Sequence, residues 1–282
     1  MEEGTGNKIA VLELEGVIQN ISTSSLLNSG GYNHERFLEK LEHVGKDRSV
    51  DGIILRVNTP GGGVVESDEI HDQIVKVQEK YDKPVYVSMG NTAASGGYYV
   101  SAPADKIVAH PATLTGSIGV IMESMNFAEL ADQVGIDFNT IKSGEFKDIM
   151  SQNREMTDQE RDILQTMVDD MYADFVDVIV EGRDMAESKV RELGDGRVYT
   201  GSQAADNGLV DALGSMEDTV SMMKKDFDWP NAKVVEYKGG FEWNQFLSSS
   251  VKSMFGQETE LLDIQELLRQ SNGPRAMYLY SK

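Results

Sequence analysis

Residues Gly52–Met89 read GIILRVNTPGGGVVESDEIHDQIVKVQEKYDKPVYVSM and contain two short apolar runs separated by a charged, periodic segment. The runs Gly52–Val57 and Pro84–Met89 are nearly continuous in apolar residues, which is typical of strands buried on both faces of a sheet. Val64–Tyr81, between them, has the charge and the periodicity of a surface helix. This order of elements predicts a mostly parallel sheet that is covered by helices on both faces.

The same alternation continues along the chain and predicts an α/β first half followed by a helix-rich second half. Thr157 and Glu160 form the pattern of a capping box, in which a hydroxyl and a carboxylate each satisfy a backbone N–H at a helix start. An apolar stripe at helical spacing follows and extends to about Glu181. Further strands are predicted at Lys8–Leu14, Lys106–His110, Arg197–Thr200 and Lys233–Tyr237, and further helices near Gln203–Asn207 and over Trp243–Gln270.

Composition and charge exclude several classes of protein. The chain has 282 residues, with 26 Lys and Arg against 47 Asp and Glu, so its formal net charge is −21. Nucleic acid is therefore not expected as a partner, because phosphate backbones are bound by basic surfaces. The absence of cysteine excludes disulfides, thiolate metal sites and cysteine nucleophiles. The sequence suggests neither a metal site nor a cofactor.

The apolar runs are too short for a membrane span. The longest, Pro84–Met89 and Ile118–Met122, fall far below the ~20 residues that a spanning helix needs. The N-terminal stretch MEEGTGNK is polar and does not resemble a signal peptide. We expect this chain to be soluble. The sequence is also compatible with a soluble piece of a membrane-anchored protein.

Two glycine-rich turns follow predicted strands and are candidates for a functional site. NTPGGGV (Asn58–Val64) lets backbone N–H groups approach a ligand, although it is also compatible with a plain turn. In NTAASGGYY (Asn91–Tyr99), Ser95 lies between a strand and a helix, next to Gly96 and Gly97. This setting suits an acyl-transfer nucleophile with an oxyanion hole, but it also suits a simple helix N-cap.

A serine nucleophile needs a base, and the four histidines are poorly placed for this role. His34 and His43 lie in a polar helical stretch, His71 lies on a charged helix, and His110 lies at a strand end. A Ser-His-Asp triad is therefore poorly supported. Lysine remains as a base, since burial favours the neutral form of an amine.

Five stretches together resemble one known family. They are NTPGGGV, NTAASGGYY, TLTGSIGVI (Thr113–Ile121), KSGEFKD (Lys142–Asp148) and RVYTGSQAADNGLVDALG (Arg197–Gly214). Their order and spacing over roughly residues 8–225 resemble the S49 family of serine peptidases, which digest signal peptides. The resemblance implies an α/β fold similar to the Clp protease and crotonase folds, with a mostly parallel sheet and helices on both faces. It implies a peptidase domain over residues 1–225, extended by a C-terminal strand, helices and tail over 226–282.

The resemblance also implies roles for individual residues. Ser95 corresponds to the nucleophile and Lys147 to the general base of a Ser/Lys dyad, while Lys142 lies outside the matching position. Ser117 resembles the hydroxyl that orients the lysine amine, and the N–H groups of Gly62 and Gly96 resemble the oxyanion hole. Taken singly, Lys147 is compatible with a solvated surface lysine and Ser117 with a turn hydroxyl.

The surroundings of the lysine leave its protonation state open. Phe146, Ile149 and Met150 are apolar and favour a neutral amine at Lys147. Asp148 is adjacent and favours the charged form if its carboxylate approaches the amine.

The family's properties lead to further expectations about partners and location. In double-length members serine and lysine lie on different halves of the chain, so we expect a ring-like homo-oligomer whose sites are shared between neighbouring subunits. The expected substrates are signal peptides and other apolar, unfolded peptides. The expected location is the extracytoplasmic side of a cell membrane, reached through an N-terminal anchor that this chain lacks. The alternatives are a crotonase-like acyl-CoA enzyme and a non-catalytic oligomeric scaffold.

The C-terminal residues GPRAMYLYSK resemble neither a helix nor an ordinary polar tail. The apolar pattern of Ala276–Tyr280 suggests a pseudo-substrate that occupies the chain's own groove or that of a neighbour. Whether the tail is also cleaved stays open at this point.

Overall fold

The protein is described here by a computed structural model, which covers residues 6–20, 32–237 and 276–280. Its main sheet has eight strands, of which six follow one another in the order β10-β1-β2-β4-β5-β9. Of the other two, β6 pairs with β4, and β8 pairs with β6. The pairs along this path are all parallel, and only β6 and β8 pair antiparallel. The predicted α/β fold with a mostly parallel sheet is confirmed.

The elements have the following bounds. The strands are β1 Lys8–Glu15, β2 Gly52–Thr59, β3 Gly61–Gly63, β4 Val85–Ala94, β5 Lys106–Ala109, β6 Leu114–Gly116, β7 Ile121–Met122, β8 Val198–Thr200, β9 Ala212–Leu213, β10 Lys233–Glu236 and β11 Ala276–Leu279. The helices are α1 His34–Lys46, α2 Val64–Tyr81, α3 Gly96–Tyr99, α4 Ala128–Gln133, α5 Asp158–Arg183, α6 Glu187–Leu193, α7 Gly201–Asn207 and α8 Met216–Asp226.

Helices cover both faces of the sheet, as predicted. Successive residues of a strand point to opposite faces, and β1 divides its apolar side chains accordingly. Ala10 and Leu12 belong to the larger core, which includes buried residues of α1, α2, α3 and α5. Ile9 and Val11 belong to a smaller core, which is closed by Met223 of α8. The sheet is therefore buried from both sides, which explains its nearly continuous apolar strands.

One strand and one helix extend beyond their predicted bounds for identifiable reasons. β4 continues past Met89 to Ala94 because its last residues pair with a different neighbour, β6, in the register Thr92↔Leu114 to Ala94↔Gly116. α7 begins at Gly201 because Thr200 caps it together with Gln203. The capping box at Thr157 and Glu160 is confirmed at the start of α5.

A second, three-stranded sheet lies at the end of β2 and contains the C-terminal strand. Its order is β3-β11-β7, and β11 is antiparallel to both neighbours. The chain thus returns from its C-terminus to the glycine-rich turn after β2. The predicted helix over Trp243–Gln270 lies outside the described residues, and the division at residue 225 stays a prediction. Within the described ranges, no helix is both long and apolar enough to cross a membrane.

Candidate active site

Ser95 lies in a strained turn between β4 and α3. Its backbone has a positive φ of 55° and a ψ of −118°, which is unfavourable for a residue with a side chain. Three backbone hydrogen bonds hold it there: its N–H donates to Gly116 O at 2.7 Å, and its carbonyl accepts from the N–H groups of Tyr98 and Tyr99. Strain that the surroundings maintain in this way is common at functional sites.

The hydroxyl of Ser95 is buried and has no hydrogen-bond partner among the described residues. The residue is 1% exposed, and its Oγ atom is one of a few buried polar atoms left unpaired there. Ser95 precedes α3, but its side chain forms no cap hydrogen bond. The N-cap interpretation of Ser95 therefore receives no support from this geometry. A buried hydroxyl without a partner is costly, which makes a functional role the better explanation.

The glycines around Ser95 allow two backbone segments to approach closely. A Cβ atom on Gly96 would lie 3.2 Å from the backbone nitrogen of Gly62. A Cβ atom on Gly62 would lie 1.8 Å from the carbonyl oxygen of Ile18, so no side chain fits at that position. The structure thus places the backbones of Gly62 and Gly96 side by side, next to Ser95.

Ser117 lies close to Ser95 because of strand register. Ala94 and Gly116 are paired in the parallel strands β4 and β6, and each serine follows its paired residue directly. Ser117 also has a positive φ of 50°, and its N–H donates to Arg197 O at 2.8 Å. The structure brings together four of the five residues implied by the resemblance: Ser95, Gly62, Gly96 and Ser117.

Lys147 is the fifth residue, and its amine forms no hydrogen bond with the Ser95 hydroxyl. It lies in a series of turns over residues 143–150, and its side chain is exposed. Its amine forms no hydrogen bond or ion pair with any residue that the structure describes. Lys142, by contrast, donates to Asp148 Oδ1 at 2.6 Å and to Glu145 O at 2.8 Å, so it is already engaged.

The carboxylate next to Lys147 is held by arginine. The Arg154 guanidinium binds Asp148 in a bidentate manner, with Nε–Oδ2 of 2.9 Å and Nη2–Oδ1 of 2.8 Å. Together with Lys142, it keeps the pKa of Asp148 well below its usual range. Arg154 also binds Glu160, and this interaction lowers the pKa of Glu160 to about 2. This network was not predicted from the sequence, because its members follow no helical or strand periodicity.

The cleft beside Ser95 contains the C-terminal strand β11. Tyr278 is paired with Gly62, and the backbone N–H of Tyr280 donates to Pro60 O at 2.8 Å. On its other side, Met277 is paired with Ile121 of β7. The tail therefore lies in a groove of its own chain, which is one of the two locations that the sequence suggested.

Tyr278 fills an aromatic pocket and is fully buried. Its ring lies 4.6 Å from that of Phe175 and 5.0 Å from that of Tyr99 between centroids. Its hydroxyl donates to Met171 O at 2.9 Å, so the phenol is satisfied as well as buried. Met171 and Phe175 both lie in α5, on the apolar stripe that follows the capping box.

The histidines are engaged elsewhere. His34 lies between Tyr32 and Glu69, and His71 faces Asp72. The unpaired Ser95 hydroxyl has no histidine as a hydrogen-bond partner. Asp68, His71 and Asp72 bring potential metal-ligand atoms within 4.8 Å of one another, but both carboxylates are exposed. Exposure and spacing alone do not make this cluster a metal centre.

Comparison with known proteins assigns the family. Residues 77–229 match the model of peptidase family S49. A putative signal peptide peptidase SppA of Enterococcus faecium is 41% identical over 99% of this chain and 83% of its own length. Protease 4 of Haemophilus influenzae is 38% identical over 76% of this chain, which spans 34% of that protein. The chloroplastic serine protease SPPA of Arabidopsis thaliana is 31% identical over 82% of this chain and 34% of its own length. The buried serine, the paired glycine backbones and these matches lead to one conclusion: the chain belongs to peptidase family S49 and is a serine peptidase.

Proposed function

We propose that this chain hydrolyses extended, apolar peptides, including remnant signal peptides, with Ser95 as nucleophile and Lys147 as general base. The observation that carries the proposal is the buried, unpaired Ser95 hydroxyl beside a cleft that binds an extended segment as a strand. Strand addition supplies main-chain hydrogen bonds whatever the sequence, and pockets select side chains. The name of the Enterococcus relative, a signal peptide peptidase, supports this substrate class.

The proposed reaction proceeds through an acyl-enzyme. Ser95 Oγ attacks the carbonyl carbon of the scissile bond, while the neutral amine of Lys147 accepts the hydroxyl proton. The N–H groups of Gly62 and Gly96 donate to the oxyanion that forms. As the C–N bond breaks, the ammonium returns its proton to the leaving amine. Water then attacks the ester, again losing a proton to the lysine, and Ser95 is released with its proton restored.

We propose that the amine comes from a neighbouring subunit and that Ser117 orients it. In one chain the Ser95 hydroxyl and the Lys147 amine both have no partner among the described residues, so each is available to a second copy. The segment before Lys147 also exposes an unusual number of apolar side chains, which a second copy would cover. They are Ile121, Met125, Phe127, Leu130, Val134, Ile136, Phe138 and Ile141. A head-to-tail contact of this kind forms a ring where the rotation between copies closes, and we propose such a ring.

The tail is proposed to act as a substrate mimic. Tyr278 lies opposite Gly62, and its main chain runs past the proposed oxyanion hole. A Cβ atom on Gly61 would lie 2.1 Å from Tyr278 O, so the tail carbonyl approaches the glycine turn closely. The pocket around Tyr278 indicates a preference for aromatic side chains at the corresponding position of a substrate.

The place of action is proposed from the relatives rather than from the fold. Signal peptides remain in the membrane after secretion, so a peptidase that removes them acts at the membrane. We propose that the catalytic domain works on the extracytoplasmic side and is held there by an anchor outside the given sequence.

The test is hydrolysis of a fluorogenic, signal-peptide-like substrate by wild type, Ser95→Ala and Lys147→Ala. Both variants are expected to lose turnover, while Ser221→Ala, an exposed serine of α8 with a local hydrogen bond to Glu217 O, keeps it. Loss in Ser95→Ala alone would refute Lys147 as the base. Activity on an acyl-CoA thioester instead, or intact assembly without turnover, would favour the crotonase-like enzyme or the scaffold.

A further inference from the structure

The loop that carries Lys147 is held by a charged network centred on Arg154. Besides its bidentate contact with the Asp148 carboxylate, Arg154 Nη2 donates to the backbone oxygen of Asp148 at 3.1 Å. Arg154 Nη1 donates to Glu160 Oε2 at 2.8 Å, and Nη2 also contacts the second oxygen of that carboxylate. One guanidinium thus bridges two carboxylates, which uses the planar fork that lysine lacks.

Glu160 connects this network to the helix that lines the cleft. It is 2% exposed and lies in the first turn of α5, where it accepts from the N–H of Thr157 at 2.9 Å. The same helix carries Phe175, which contacts Tyr278 in the cleft. Arg154 therefore fixes the Lys147 loop relative to an element of the substrate groove.

The network also determines what the Asp148 carboxylate faces. The charged groups paired with it are Arg154 and Lys142, and Glu160 lies on the far side of Arg154. Lys147 immediately precedes Asp148, so their Cα atoms are about 3.8 Å apart. A carboxylate that turned toward the amine would favour the ammonium form, which cannot act as a base.

We propose that Arg154 is a positioning residue for Lys147: it holds Asp148 away from the amine and fixes the loop that presents the base. This inference rests on the proposed function of Lys147. Arg154 acts through Asp148 and Glu160 and takes no part in the bond-making steps.

The experiment is the pH dependence of kcat/KM for four proteins: wild type, Arg154→Gln, Asp148→Asn and the double variant. In Arg154→Gln the Asp148 carboxylate keeps only its contact with Lys142. Its greater freedom to approach Lys147 should move the acidic limb of the pH profile about one unit to higher pH, since a nearby opposite charge favours the ammonium. At a pH below the limb this corresponds to about a tenfold loss of kcat/KM. Asp148→Asn alone should not move the limb upward, and adding it to Arg154→Gln should reverse the shift. Such a reversal measures the coupling between the two side chains.

Controls separate this effect from a loss of structure. Arg191→Gln removes an exposed ion pair with Glu187 on α6, and its pH profile should match that of wild type. If Arg154→Gln does not fold, Arg154→Lys keeps the charge but not the fork, and it should show a smaller shift in the same direction.

Two results would overturn the proposal. One is a loss of activity in the Arg154 variants with an unmoved limb, and the other is a shift that persists when Asp148 is also replaced. Either result, with Lys147→Ala inactive, refutes the positioning role alone. Wild-type turnover by Lys147→Ala would instead refute the proposed function on which it rests.

Discussion

Replacing Tyr278 with alanine should open the cleft. The side chain is fully buried between Tyr99 and Phe175, and its hydroxyl bonds to Met171 O. Removing a buried aromatic side chain typically costs about 3–5 kcal/mol. Because about 1.4 kcal/mol corresponds to a factor of ten, docking of the tail should weaken by roughly a hundredfold or more. The main chain of the tail can still pair with β3, so the tail should remain a competitor of the substrate but bind more weakly.

The assay is steady-state hydrolysis of a fluorogenic apolar peptide. An intramolecular competitor raises the apparent KM, so Tyr278→Ala should increase kcat/KM by about tenfold or more, with little change in kcat. Tyr280→Ala is the matched control: the residue is half-buried, and the contact recorded for it uses the backbone N–H, which the substitution keeps. Its effect should be much smaller.

Deletion of residues 276–282 provides a second variant, and mass spectrometry of the purified chain reports whether the tail is cleaved. Competition by the tail is refuted by two results together. One is the same kcat/KM in wild type, Tyr278→Ala and the deletion, and the other is equally slow hydrogen exchange at the amides of Gly61–Gly63 in all three.

Three further predictions concern the core, the glycine turn and the acid range. Phe175→Ala should lower the free energy of unfolding in urea by about 3–5 kcal/mol, because the ring is fully buried, and a change below about 1 kcal/mol would contradict its place in the core. Gly62→Ala should remove most turnover, since its Cβ would meet Ile18 O at 1.8 Å; near-wild-type kcat would show that the turn tolerates a side chain. Arg154 lowers the pKa of Glu160 to about 2. The contact between the two side chains therefore stabilises the fold fully above the ordinary glutamate pKa of about 4.3, and this stabilisation is lost as the pH falls toward 2. The melting-temperature difference between wild type and Arg154→Gln should therefore shrink over that range, and a constant difference would contradict the contribution of this contact.

Local sequence signals predicted six of the eight strands of the main sheet, all but β6 and β9, and they predicted the turn at Ser95. The helix Val64–Tyr81 has the predicted bounds, and Ser95 lies between a strand and a helix as its small neighbours indicated. Both features depend on residues that are close in sequence. Apolar periodicity and glycine spacing report such features directly.

Long-range contacts had no comparable signal. β11 pairs with β3, although more than 200 residues separate Tyr278 from Gly62, and nothing in the short tail specifies that partner. Arg154 joins Asp148 and Glu160 across irregular backbone, where no period marks which side chains share a face. In the proposed assembly Lys147 meets Ser95 of another copy, and no local sequence signal specifies a contact between copies.

The most direct test of the account is complementation between Ser95→Ala and Lys147→Ala. Each variant alone should be inactive on the fluorogenic peptide. After subunit exchange, sites that combine the serine of one variant with the lysine of the other should recover activity. In a ring assembled at random from equal amounts, about a quarter of the sites have this combination, so about a quarter of wild-type turnover is expected. Absence of recovery, with mixed assemblies demonstrated by native mass spectrometry, would contradict a site shared between subunits.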